Sequence, residues 1–144
     1  MTAGGRGIRA QLDQGAIDAL LGDLSGPFGR DMQSRGEKGA QSAKAHCPVS
    51  PVGASDHPSG QLRSSLGWEL DKDSQGIYVD VGVAAGSPAL EYALPVELGA
   101  RPHVIESHGD YPLRNRKGQV FGKRVNHPGN AAQPFLRPAL DDMR

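Results

Sequence analysis

The sequence predicts an α+β domain: N-terminal helices, then a small, mostly antiparallel β-sheet with long loops, then a short C-terminal helix. Three observations carry this. Apolar residues recur at helical spacing before residue 47, alternate strictly after residue 60, and return to helical spacing after Pro134. A length of 144 residues suits a single domain spanning 1–144.

Residues 1–7 are Gly-rich and read as a flexible N-terminus. Ile8, Leu12, Ala16, Ala19, Leu20 and Leu24 suit one face of a first helix, ended by Gly22 and the Gly26-Pro27 pair. A second helix is expected from Pro27 to His46, stopped by Pro48. Gly29, Gly36 and Gly39 should weaken it by roughly 1 kcal/mol each relative to Ala. Residues 47–60 hold three prolines and two glycines and read as a loop.

Leu62, Ser64, Leu66, Trp68 and Leu70 then fall on alternate positions, so residues 61–70 read as a strand. Residues 71–76 form a turn, and Ile77, Val79 and Val81 mark its partner strand over 77–83. Tyr92, Leu94, Val96 and Leu98 suit one face of a third strand or of a short helix, and Pro95 favours an edge or an interruption. Gly99 to Pro102 turn the chain, and residues 103–105 are placed to pair with a later strand. Residues 106–118 read as an extended basic arm, with a turn at 116–118 and a return strand from Val120-Phe121. Pro134 opens a last helix from Phe135 to Met143, in which Pro138 is tolerated only near the start.

The composition limits the core. Aliphatic, aromatic and sulfur residues reach 37% and aromatics only 5%, while 20 Gly and 11 Pro point to long loops. Such a chain is expected to draw part of its stability from neighbouring subunits. Cys47 is the only cysteine, which excludes an internal disulfide and suits a reducing cytoplasm. No apolar run approaches the ~20 residues of a membrane helix. The N-terminal stretch lacks the apolar core of a signal peptide, so no membrane partner is expected.

The formal charge is zero but unevenly spread. Residues 61–100 carry two basic and six acidic side chains, and residues 101–144 carry eight basic and four acidic ones. An acidic middle and a basic end can attract each other between copies.

Three segments bear a family resemblance. The first holds Pro51 and then Ser59-Gly60-Gln61-Leu62-Arg63-Ser64-Ser65-Leu66. The second runs from Tyr92 through Val96-Glu97-Leu98-Gly99 to Arg101-Pro102-His103-Val104-Ile105. The third holds Val120-Phe121, His127-Pro128-Gly129 and Gln133-Pro134-Phe135-Leu136-Arg137-Pro138-Ala139-Leu140. In this order they resemble the siphophage neck and tail-completion proteins, a family of lambda-like tail-completion, minor tail and head–tail connector components. The resemblance covers roughly two-thirds of the chain and is most specific in the last block. The chain departs from the family pattern at Ser59 and Ala100.

The resemblance implies a structural virion protein, assembled in the host bacterial cytoplasm, that forms a ring at the head–tail junction of a long-tailed phage. A hexamer is the expected ring, with a dodecamer as the alternative. Its implied partners are further copies of itself, head-side connector or stopper proteins, tail terminator or tail-tube proteins, and the genome DNA passing through the channel. It implies no catalytic residue, cofactor or metal. Arg101, Arg114, Arg116, Lys117, Phe121, His127, Phe135, Leu136 and Arg137 are the candidate subunit-interface residues.

Other chemistries find weaker support. His46, His57, His103, His108 and His127 lack the paired close spacing of structural metal sites. Ser64 and Ser65 lack the Gly-flanked elbow of a hydrolase nucleophile. The main alternative is a nucleic-acid-binding accessory protein using the basic C-terminal half, where Arg114, Arg116, Lys117, Lys123 and Arg124 could meet phosphates. The segment has little of the aromatic interleaving that single strands favour.

Overall fold

The computed structural model describes residues 11–52, 57–115 and 117–144. The Gly-rich start and Ile8 lie outside them. Helix α1 (Gln14–Gly22) begins where the Asp13 carboxylate accepts the Ala16 N–H at 3.1 Å, an ordinary N-cap. None of its residues is buried, so its apolar spacing covers no core.

Helix α2 (Pro27–His46) has the bounds the sequence suggests, with Pro27 in its first turn. At its far end Arg63 Nη2 donates to the Cys47 carbonyl at 3.0 Å, placing a cation at the negative end of the helix dipole. The glycines have a use beyond their propensity cost. A Cβ on Gly36 would stand 2.7 Å from Val79 Cγ2 and 2.8 Å from Trp68 Cε3. One on Gly39 would strike Met143, and one on Gly29 the backbone of Leu24. With Ala40 and Ala43 these residues make a smooth helix face against which other elements pack closely.

The stretch 61–65 is not a strand. It forms a short helix, α3 (Gln61–Ser65), entered through Gly60 at φ 77°. Leu62 and Leu66 are four apart as well as two steps of an alternation, so their spacing fits either structure. The backbone bond from Ser64 N–H to the Gly60 carbonyl selects the helix, and the Ser64 and Ser65 hydroxyls donate back to Gln61 and Leu62 carbonyls.

The antiparallel hairpin is therefore β1 (Leu66–Asp73) with β2 (Gly76–Val83), joined by Ser74-Gln75. The turn is shorter than expected because the Asp73 side chain accepts the Gln75 N–H at 2.7 Å and Gly76 takes φ 134°. Leu66, Trp68, Ile77, Val79 and Val81 share the face toward α2, and Glu69, Asp71, Tyr78 and Asp80 share the other.

Residues 90–98 resolve the choice between strand and helix in favour of α4 (Leu90–Leu98), with Pro95 inside it. Tyr92, Leu94, Val96 and Leu98 consequently do not share a face. Ala93 is buried and Tyr92 and Val96 join the core, while Leu90, Leu94 and Leu98 form an exposed i, i+4, i+8 stripe.

Beyond it runs a long two-stranded ribbon. Strand β3 (His103–Glu106) pairs antiparallel with β6 (Arg124–His127), and β4 (Leu113–Arg114) with β5 (Val120–Gly122). Ser107 N–H to the Lys123 carbonyl, 2.9 Å, continues the ladder between the two pairs. Residues 106–115 with 117 and 118 make up much of the ribbon's distal part, and Arg116 of the expected turn lies outside the described residues. All the described sheets are two-stranded antiparallel pairs.

The last helix, α5 (Leu136–Asp142), packs on α2. The core lies between α2, α3, the hairpin, α4 and α5. It is built of small residues, including Ala43, Ala89, Ala93 and Ala139, around the fully buried Phe135 and Cys47.

Candidate functional site

Parts of the three segments singled out in the sequence meet at one corner of the fold, while Val104-Ile105 and Val120-Phe121 run out along the ribbon. Tyr92 of α4 donates its hydroxyl to Gln61 Oε1 at 2.9 Å, and its ring stacks on His57 with centroids 4.0 Å apart. Gln133 N–H reaches the Val96 carbonyl at 2.8 Å, and Asn130 Nδ2 the Pro95 carbonyl at 2.9 Å. His103 and His127 face each other across the ribbon, ring centroids 4.9 Å apart. Between these groups lies an open cleft of about 520 Å³, walled by Pro48, Pro58 and Pro95.

Two glycines at this corner permit contacts that a side chain would block. Gly99 takes φ 75°, and a Cβ there would stand 2.8 Å from Asn130 O. Gly129 takes φ 79°, and a Cβ there would strike the Ala100 carbonyl. Their closeness allows the reciprocal backbone bonds between Ala100 and Asn130, both 3.0 Å, that anchor the base of the ribbon.

Glu97 joins the second segment to the third. Its Oε2 accepts the N–H groups of Phe135 at 2.6 Å and Leu136 at 2.9 Å, and its Oε1 accepts that of Arg137 at 3.0 Å. Pro138 has no N–H to offer. One carboxylate and one proline thus account for the donors that open α5. Desolvation works to raise the Glu97 pKa, but the three backbone bonds, helped by Arg137, outweigh it and hold the carboxyl below its ordinary value.

Ser59 donates to the Ser50 carbonyl at 2.6 Å, and Ser64 and Ser65 are bonded within α3. Among the described residues no three His, Cys, Asp or Glu side chains gather as metal ligands, and no helix is long and apolar enough to cross a membrane. Cys47 is buried, and desolvation raises its thiol pKa against a smaller opposing effect of Arg63.

The candidate interface residues separate into groups. Arg101, Arg114, Lys117 and Phe121 are exposed along the ribbon or at its base, and His127 is half-buried in its last strand. Arg116 lies outside the described residues. Leu136 is half-buried and Arg137 exposed at the start of α5. Phe135 is corrected: it is 0% exposed in the core of its own subunit, so it presents nothing to a neighbour. The Leu90, Leu94 and Leu98 stripe was missed. Its four-residue spacing was visible, but the alternation of Tyr92, Leu94, Val96 and Leu98 competes with it.

Further apolar surface lies on the ribbon, at Val104, Ile105, Tyr111, Val120 and Phe121. Every residue of β3 is exposed, and among the described residues the ribbon strands pack extensively only with one another. Comparison of the chain with protein-family models, with curated proteins and with solved structures finds no match.

Proposed function

We propose that this chain is a structural ring subunit at the head–tail junction of a long-tailed phage, joining the head connector to the tail. The observation that carries this reading is the ribbon of residues 103–127. An isolated two-stranded ribbon is marginal in water. Among the described residues this one packs extensively only with itself, and it exposes Val104, Ile105, Val120 and Phe121. Its apolar surface calls for a surface outside the subunit.

The thin core supports the same reading, because a subunit rich in buried alanines gains stability when neighbours cover its remaining apolar faces. A head-to-tail contact repeated with a rotation that divides the circle closes into a ring. The ribbon and the exposed α4 stripe supply the faces of that contact. The resemblance of the three segments to neck and tail-completion proteins supplies the biological setting.

The test is the virion. Mass spectrometry of purified particles should find this polypeptide at a stoichiometry of a small ring, and side-chain-resolution imaging of the neck should trace it there. Disruption of its gene should leave filled heads and separate tails. Infectious particles that lack the polypeptide would remove the reading.

A further inference from the structure

We infer that the basic ribbon of one copy docks on the acidic outer face of the β1–β2 hairpin of the next. This rests on the ring-subunit reading and names the surface and partner it needs.

The hairpin face away from α2 brings Glu69 directly opposite Asp80, with Asp71 beside them. Like charges directly opposite on one sheet face repel. The hairpin's own lysine gives no relief there, because Lys72 sits on the opposite face and reaches the Gly22 carbonyl at 3.5 Å. The negative field is felt by Tyr78 on the same face: Asp71 foremost, with desolvation and then Asp80, raises its phenol pKa. Residues 66–85 carry four acidic side chains and one basic.

Alongside the acids runs a shallow groove of about 540 Å³ bordered by Gly67, Gly82, Val83, Ala84, Ala85 and Leu90. Leu90 is 48% exposed and opens the α4 stripe that continues through Leu94 and Leu98. The surface is thus an acidic strip with an apolar border, its floor kept low by two glycines.

The ribbon has the opposite character. Residues 103–127 carry five basic side chains and two acidic. Lys123 and Arg124 meet Asp110 and Glu106 only at 3.9 and 3.5 Å, all four side chains well exposed, and such pairs hold little in water. Val120 and Phe121, 54% and 46% exposed, stand next to these cations. Net charges of −3 and +3 and an apolar element on each side make the two surfaces complementary. A ribbon-to-hairpin contact is heterologous, the kind that propagates around a ring.

A charge exchange tests this. One variant carries Glu69→Lys with Asp80→Lys, and a second carries Lys123→Glu with Arg124→Glu. Each alone sets like charges against each other and should self-associate roughly a hundredfold more weakly than the wild type in sedimentation velocity at low salt. Mixed in equal amounts, each variant's ribbon meets an opposite charge on the other's hairpin, so association should return. Recovery on mixing also shows that neither variant has simply misfolded. If the wild type assembles and both variants assemble equally well alone, or if mixing restores nothing, the docking is overturned and the ring reading stands. A wild type that stays a single 15.2 kDa species at every soluble concentration and low salt overturns both.

Discussion

Replacing Glu97 with alanine removes the acceptor for three backbone N–H groups at once, and their surroundings set the cost. Phe135 is fully buried, so its N–H loses a partner where water cannot easily replace it, at about 1–3 kcal/mol. Leu136 and Arg137 lie nearer solvent and recover part of their loss, which makes their share comparable to a lost N-cap of about 0.5–2 kcal/mol. Glu97→Ala should therefore destabilise the fold by about 3 kcal/mol. Glu97→Gln should cost only about 1 kcal/mol. An amide oxygen at the Oε2 position still accepts from Phe135 and Leu136, leaving the exposed Arg137 N–H to water.

Urea denaturation followed by the fluorescence of Trp68, the only tryptophan, measures both changes. The pH dependence separates the charge from the shape. The folded-state pKa of Glu97 lies below the unfolded one, so on acidification the unfolded chain takes up the proton first. The carboxylate's contribution is complete above the unfolded pKa and disappears as pH falls through the folded one. The stability gap between wild type and Glu97→Gln should accordingly narrow as the pH drops below the ordinary glutamate range. A loss under about 0.5 kcal/mol for Glu97→Ala, the size of a neutral surface change, or a pH-independent gap, would refute the reasoning.

Two further outcomes follow from the packing. Gly36→Ala gains roughly 1 kcal/mol of helix propensity but forces a methyl against Val79 and the rigid Trp68 ring, an overpacking cost of about 1–3 kcal/mol. Equilibrium unfolding should show a net loss, whereas Gly22→Ala, with open space around it, should be neutral or slightly stabilising. Cys47 should react with an aromatic disulfide reagent only as fast as the fold opens, since its thiol is buried and its pKa raised. Reaction at the rate of an exposed thiol in native buffer would contradict the packing around α2.

Local patterns in the chain determined much of the architecture. The Asp13 cap starts α1 later than its apolar spacing suggests and leaves Leu12 and Leu24 outside it, whereas Pro27 at the head of α2 and the alternation through Trp68 and Val81 act within a few residues of backbone, so they are legible without knowledge of the fold. The same holds for the closing helix, although its donors are satisfied by Glu97, 38 residues or more away in sequence. The corner where Gln61, Tyr92, Asn130 and Gln133 meet could not be drawn from spacing alone, because its hydrogen bonds join distant segments.

Tertiary structure decided the ambiguous stretches. Leu62 and Leu66 satisfy both a strand and a helix, and the chain divides them, burying Leu62 in α3 and Leu66 at the start of β1. Tyr92, Leu94, Val96 and Leu98 alternate as a strand would, yet α4 divides them between core and solvent. The glycines of α2, costly on propensity, are where Trp68, Val79 and Met143 come closest. The physical reason is common to all three cases: periodicity states which residues can share a face, but whether that face is covered depends on surface brought from elsewhere in the chain, and burial outweighs the small local preferences.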